Sequence, residues 1–333
     1  MPATLRAVAE AAGVHVATAS RALNAETSHL VRPATRQRVL EAAERLDYRA
    51  DFNAAALRSG RSRLVGILVP GLSNPVYGPI TAGAAEVLDQ NGIGTMVGDT
   101  GILRERSGEL VRALLARRVD GLLMATSFED RDGAVEEAVR HQLPLVLLNR
   151  GRAGLCCVRP DHATSMGLLV DHLVGLGHRN IGFMGGNLRS VWRDDRREAF
   201  DAALARHSLK PFSSWEVPGY GREAGREGAL ALLPGARAMT ALCCGNDMTA
   251  MGVRDAARAL GLELPASLSI TGHNDIPFMD AVSPPLTTVR VDYHAMGMMA
   301  ATMLLRRIAG EAVPDALVPV ELVVRGSTAP PRG

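Results

Sequence analysis

The sequence predicts an N-terminal all-α helix-turn-helix unit followed by a two-lobed α/β body with mainly parallel sheets. Three observations carry this prediction. Apolar residues repeat at helical spacing on either side of Gly13-Val14, as in two short helices joined by a tight turn. Beyond Arg63, short apolar runs alternate with amphipathic stretches, the pattern of βα units. A chain of 333 residues is also too long for a single core.

Charge and composition bound the function. Residues 1–63 carry ten arginines against six acids, a net +4; the whole chain is +2, so the remaining 270 residues sum to −2. A basic front on a near-neutral body implies a polyanionic partner for the first unit alone. No apolar run reaches the ~18 residues needed to cross a bilayer, so no membrane partner is expected. The start, MPATLRAVAEAAG, has no basic stretch leading into a long apolar run and does not read as a secretory signal. The cysteines form two adjacent pairs, Cys156-Cys157 and Cys243-Cys244, without metal-ligand spacing. They read as small buried thiols near strand ends, and the expected compartment is the cytoplasm. No G-x-G-x-x-G, P-loop, G-x-S-x-G or metal motif occurs, so no cofactor, metal or catalytic residue is expected.

Leu5, Val8, Ala9 and Ala12 make the first helical repeat, and Val16, Ala19, Ser20 and Leu23 the second. A third helix is expected from Pro33 to about Leu46, with Val39, Leu40, Ala43 and Leu46 on one face. The second helix is poor in charge except for Arg21, and Ala17, Thr18 and Ser20 cover its outer side. Small residues there suit close approach to a phosphate backbone and groove floor. Arg21 can donate two hydrogen bonds to a guanine edge.

The runs TLRAVAEAAGVHVATASRALN, VRPATRQRVLEAAERLDYRA and NAAALRSGRS resemble, in order and spacing, the DNA-binding headpiece and hinge of the lactose/galactose/purine repressor family. The resemblance implies a headpiece over residues 1–50 and a hinge helix or linker over 51–62. It implies base contacts from Val16, Ala17 and Arg21, and phosphate contacts from Thr4, His15, Thr18 and Asn24. Val16 and Ala17 donate no hydrogen bond, so readout there is expected to be apolar, against thymine methyls. Arg32 stands where the family has a helix-capping residue, a loss of ~1 kcal/mol that a phosphate contact can offset. The hinge sequence makes a helix that is marginal alone in water. In the family two hinges pair in the minor groove, which would place Asn53, Ala54, Leu57 and Arg58 there, with Leu57 wedged between base pairs. Folding and binding then become one event.

Candidate strands in the body span 64–70, 94–99, 119–125, 143–149, 180–186, 240–246, 268–274 and 318–326. The phrases RVDGLLM, GHRNIGFMGG, RREAF, CGNDMTAMGV and SPPLTTVR resemble the periplasmic-binding-protein-like effector domain of the same family. Over residues 63–333 this implies one lobe of about 63–160 with 292–322 and another of about 161–291 with 323–333. Ligand would lie in the cleft between them. The implied effector-binding residues are Tyr77, Asn149, Trp192, Arg196, Tyr220, Asn246, Asp247 and Asn274, with Arg196 as the clamp. Asn149 and Asn274 stand where many relatives have Asp. Beside Arg196 this makes the cleft more positive, and the expected effector is a carboxylate, a sugar acid or a phosphorylated metabolite.

Together these implications describe a ligand-responsive transcription regulator, expected to be a repressor, that binds pseudo-palindromic double-stranded operator DNA as a homodimer. The end VVRGSTAPPRG has no heptads for a tetramerising tail. The body alone would also suit an α/β enzyme or a solute-binding protein. The basic headpiece opposes both.

Overall fold

The computed structural model describes residues 3–24, 27–48, 61–101, 104–125, 133–186 and 195–332. The chain divides into two compact units, Met1–Ser62 and Arg63–Gly333. In the first unit α1 (Leu5–Ala11), α2 (Val16–Leu23) and α3 (Pro33–Arg45) close around Val8, Ala9, Ala12, Ala19, Ala22, Val39, Ala42 and Ala43. Alanine dominates this core, so the helix backbones approach closely. Gly13 takes φ +63, the left-handed conformation that lets α1 stop and the chain turn. Leu40 does not join the core face expected of α3; it is 39% exposed. Helical spacing from Val39 selects 42, 43 and 46 and leaves residue 40 one step round the helix.

The second unit begins with β1 (Leu64–Val69), α4 (Tyr77–Gln90), β2 (Gly94–Asp99), α5 (Arg104–Ala116), β3 (Gly121–Met124), α6 (Gly133–Arg140), β4 (Leu145–Leu148) and β5 (Cys157–Pro160). It continues with α7 (His162–Gly175), β6 (Ile181–Gly186), α8 (Asp195–Arg206), β7 (Ser214–Val217), α9 (Arg222–Leu232), β8 (Ala241–Cys244), α10 (Asp247–Ala259) and β9 (Ser269–Thr271). It closes with β10 (Thr288–Val291), α11 (Tyr293–Ile308), β11 (Ala316–Val318) and β12 (Val320–Val323). Strands order as β11-β5-β4-β3-β1-β2 in a first sheet and β7-β6-β8-β9 in a second, and β10 pairs antiparallel with β12. Every pairing within the two larger sheets is parallel.

Alternation along the strands explains the layers. Val65, Ile67 and Val69 pack with Ile80, Ala84 and Leu88 of α4 and with Met296 and Ala300 of α11. Leu68, Leu122 and Met124 turn the other way, onto Val111 and Leu114 of α5 and Val135 of α6. The second sheet is covered likewise, by α7 and α8 on one face and α9 and α10 on the other. Helices on both faces of parallel strands put the loops at the strands' C-terminal ends around a crevice, where open α/β sheets bind ligands.

Strands β5, β7 and β10 were absent from the expected set. Each is short, and β5 and β10 interrupt their apolar residues with Arg159 and Arg290. On β7, Trp215 and Glu216 are both exposed. The expected strand 318–326 shortens to β12, and β11, also unforeseen, ends where it was expected to begin. Pro319 has no N–H to give a ladder, so β11 ends against β5 and β12 starts afresh against β10.

The paired cysteines fall on consecutive positions of extended chain, so their side chains point to opposite faces. Cys156 and Cys244 join one core, Cys157 a second and Cys243 a third. All four are free and buried. Burial pushes their thiols up, to about 12 for Cys157 and Cys243. Native protein treated with iodoacetamide near pH 8 is therefore expected to stay unlabelled by mass spectrometry and to take up four labels after denaturation. Rapid native labelling would contradict this. Among the described residues no helix is long and apolar enough to cross a membrane.

Candidate functional site

The exposed side of α2 is assembled by what its other side buries. Ala19 and Ala22 face the small core, which turns Val16, Ala17, Arg21 and the following Asn24 outward. Val16 is 37% exposed although it is apolar. Thr18 and Ser20 are half-buried on the flanks. Short side chains at 16, 17 and 20 keep this backbone accessible, and Arg21 reaches beyond it.

Two of the expected phosphate-contact residues also cap helices. Thr4 Oγ1 accepts from the Ala7 N–H at 3.2 Å, and His15 Nδ1 accepts from the Ala17 N–H at 3.2 Å. Each keeps a donor for an anion: the Thr4 hydroxyl proton and the Nε2–H that an accepting Nδ1 imposes on His15. Both therefore sit at helix N-termini, where backbone dipoles also favour phosphate. Arg32 makes no side-chain cap to α3. The hinge residues Asn53, Ala54, Leu57 and Arg58, and Trp192 of the body, lie outside the described residues.

In the second unit five of the expected residues converge where the two larger sheets face each other. Tyr77 opens α4, and Asn149 follows β4 with φ +65. Arg196, in the first turn of α8, is only 5% exposed, and its guanidinium carbon lies 5.2 Å from the centre of the Tyr220 ring. The Arg150 guanidinium lies 5.7 Å from the same ring, so two cations stack on one aromatic. Asn274 is held at φ +120. Its Oδ1 accepts from the Tyr293 hydroxyl at 2.6 Å and lies 2.8 Å from Nδ1 of His273.

Besides the Arg150–Tyr220 stack, two side-chain hydrogen bonds among the described residues span the crevice from the first lobe to the second. Tyr293, at the start of α11, reaches Asn274; Arg159 of β5 donates to Asp195 of α8 at 2.7 Å. The space lined by Asn149, Arg150, Gly151, Arg159, His162, Asp195 and Arg196 is about 10 Å³, room for one water.

Burial and the arginines set the protonation here. Burial raises the Tyr77 hydroxyl, with Arg150, Arg196 and Asn149 pulling the other way. Burial also raises Tyr293. His162 is pushed well below its ordinary range by burial first, then by Arg196, His273, Arg159 and Arg150. His273 falls to about 3 through burial and Arg196. Neutral tyrosines and histidines thus surround fixed positive charge.

Asn246 and Asp247 do not end a strand as expected; β8 stops at Cys244, and they begin α10. Asn246 Oδ1 caps that helix through Thr249 N–H at 2.8 Å, and its Nδ2 donates to the Tyr220 carbonyl at 3.0 Å. Asp247 is fully buried, accepting from Thr288 Oγ1 at 2.6 Å and from Ile276 N–H at 2.8 Å. Burial raises its carboxyl to about 6 despite those bonds. Arg150, Arg159, His162 and Tyr293 were not foreseen. The NR dipeptide after β4 and the RPDH and VDYH phrases at helix starts were the available signals.

An exposed, charge-poor helix with one forward arginine and, in the same chain, an α/β body with a cation-lined crevice define a DNA-binding ligand sensor. A profile described as "Bacterial regulatory proteins, lacI family" matches residues 4–51, and one described as "Periplasmic binding protein-like domain" matches 170–328. The regulator MalR of Streptomyces coelicolor is 33% identical, covering 99% of this chain and 97% of that protein. The lactose operon repressor of Escherichia coli is 32% identical over 99% of this chain and 92% of its own. The crystal structure of the lac repressor dimer bound to operator and the anti-inducer ONPF superposes with TM-score 0.87 at 30% identity, covering 99% of this chain and all of that one. The chain belongs to the lacI family of bacterial regulatory proteins and is a ligand-responsive, DNA-binding transcriptional regulator.

Proposed function

We propose that this chain is a cytoplasmic repressor that binds a pseudo-palindromic operator as a homodimer and is controlled by an anionic metabolite in the crevice of its body. The observation that carries the DNA half is the outward set Val16, Ala17 and Arg21 on a helix whose N-terminus is capped by His15. Residues 1–50 read the operator, residues 51–62 act as hinge, and residues 63–333 sense ligand and dimerise. The lobes are 63–160 with 292–322 and 161–291 with 323–333. Leu57 and its counterpart in the second subunit enter the minor groove, as the NAAALRSGRS composition suits.

The body binds rather than turns over its ligand. Its cysteine thiols are raised and buried, and the crevice histidines are too weakly basic to act as general bases near neutrality. The arginines there favour a carboxylate, sugar acid or phosphorylated metabolite. Genome-wide footprinting of the purified protein tests the reading by finding operators. At those sites Arg21→Ala is expected to lose ~1–3 kcal/mol, about tenfold to a hundredfold in affinity, with weak non-specific binding little changed. Equal affinity of variant and parent would remove Arg21 from the reading face.

A further inference from the structure

We propose that the second sheet carries a further ligand site at the end away from the crevice, a cavity that takes a medium-chain carboxylate. The site lies apart from the effector crevice and goes beyond the function proposed above.

The cavity measures about 480 Å³ and lies at the N-terminal ends of β8 and β9, whereas the crevice gathers at the C-terminal ends of the strands. Three segments wall it. Leu233 belongs to a 3-10 turn, Leu233–Gly235, that follows α9, and Met239 stands just before β8. Leu260 and Leu262 flank the turn that ends α10, and Leu268 leads into β9. Main-chain bonds pin each segment. Gly261 takes φ +69, and the Leu262 N–H donates to the Ala257 carbonyl at 2.9 Å. The Met239 N–H donates to the Ala236 carbonyl at 2.9 Å, and the Ser269 N–H to the Thr240 carbonyl at 3.0 Å. A hydrogen-bonded frame of this kind holds the walls apart before any ligand arrives.

The lining selects the ligand's tail. Leu233, Met239 and Leu268 are buried, and Leu260 is exposed on the wall. Water held against such side chains finds few polar partners, so an apolar chain displaces it favourably. The volume falls within the range of small-molecule sites. It is about sixteen times the ~30 Å³ share of a water molecule, which leaves room for the roughly twelve non-hydrogen atoms of decanoate.

The lining also selects the head. Arg237 stands exposed on the cavity wall, and among the described residues it makes no hydrogen bond or ion pair. No acidic side chain lines the space, and Glu263, next to Leu262, pairs with Arg332 at 3.8 Å. One guanidinium matches one carboxylate, and Ser267 adds a hydroxyl donor to the same lining. Because Arg237 is exposed, the head stays hydrated while the tail enters.

Calorimetry of the full-length protein with hexanoate, octanoate and decanoate, each kept below its micelle concentration, tests this. One molecule per chain is expected to bind, about threefold to fourfold more tightly for each added methylene. Arg237→Gln should weaken decanoate by about twofold to fivefold, the scale of an exposed ion pair, and leave 1-octanol binding unchanged. Leu260→Glu changes an exposed position and spares the core; it should weaken decanoate further by setting a like charge on the apolar wall. No saturable binding, equal affinity along the series, or parent-like decanoate binding in both variants would each overturn the proposal. Loss of binding in Arg196→Ala with parent-like binding in Leu260→Glu would place the carboxylate in the crevice and overturn it too. So would a lower sedimenting mass of Leu260→Glu, which would show that a second copy of the chain covers the cavity. Operator binding, read by the Arg21 experiment, is independent of all these outcomes.

Discussion

Replacing Arg196 by Ala is expected to weaken anion binding by about a hundredfold or more, ~3 kcal/mol, while leaving operator affinity of the ligand-free protein unchanged. Arg196 is almost fully buried, stacks on Tyr220, and heads the charged neighbours that depress His162. Its removal takes away a cation that solvent cannot replace at that depth. Arg196→Lys should recover only part of the loss, because an ammonium lacks the planar fork. In Arg196→Ala the His162 ring should also become more basic, visible as an upward shift of its titration by NMR. Parent-like binding of sulfate by Arg196→Ala would show that the clamp lies elsewhere.

The second large effect is on stability. Where α4 and α11 cross, a Cβ added at Gly297 would run into the Ile80 carbonyl, and one at Gly83 into the His294 carbonyl. Backbone cannot yield as a side chain does, so Gly297→Val is expected to cost at least ~3 kcal/mol, the upper end of overpacking penalties. Urea unfolding measures it. Gly108→Ala in α5 is the internal control. There a Cβ would meet only the flexible tip of Arg112, at 3.4 Å, and better helix propensity should stabilise by about 0.5–1 kcal/mol. A Gly297→Val protein as stable as its parent would mean the crossing can open.

Much of this architecture was legible because it is periodic. β1 and β2 are short runs set between turn residues, so their bounds are read within a residue, and the buried stripes of α1 and α3 repeat at helical spacing. β5 and β7 escaped for the opposite reason: four residues with a charge among them carry no readable period. The exposed side of α2 was legible as an absence of charge. The crevice was legible only in part. Arg196, Tyr220 and Asn274 came from resemblance to a family, not from pattern. Arg150 follows β4 and Arg159 and His162 share the RPDH phrase, and the sequence alone does not distinguish a crevice-lining arginine at a strand end from a solvated one. Asn246 and Asp247 have structural bonds of their own. They too came from the resemblance, and in the structure they cap α10 and brace the loop after β9.

The placement of β11 bears on how the chain is made. The first sheet is laid down from Leu64 onward, yet its place beside β5 is filled only by residues 316–318. The second sheet waits as long: Ile270 N–H donates to the Ser327 carbonyl at 2.9 Å, and Ser269 Oγ to the Ala329 carbonyl at 3.1 Å. During synthesis both halves stay open at an edge until residues 316–329 have emerged, so a ribosome stalled short of residue 316 carries two unfinished sheets at once. A nonsense codon before residue 316 would leave both sheets without these pairings.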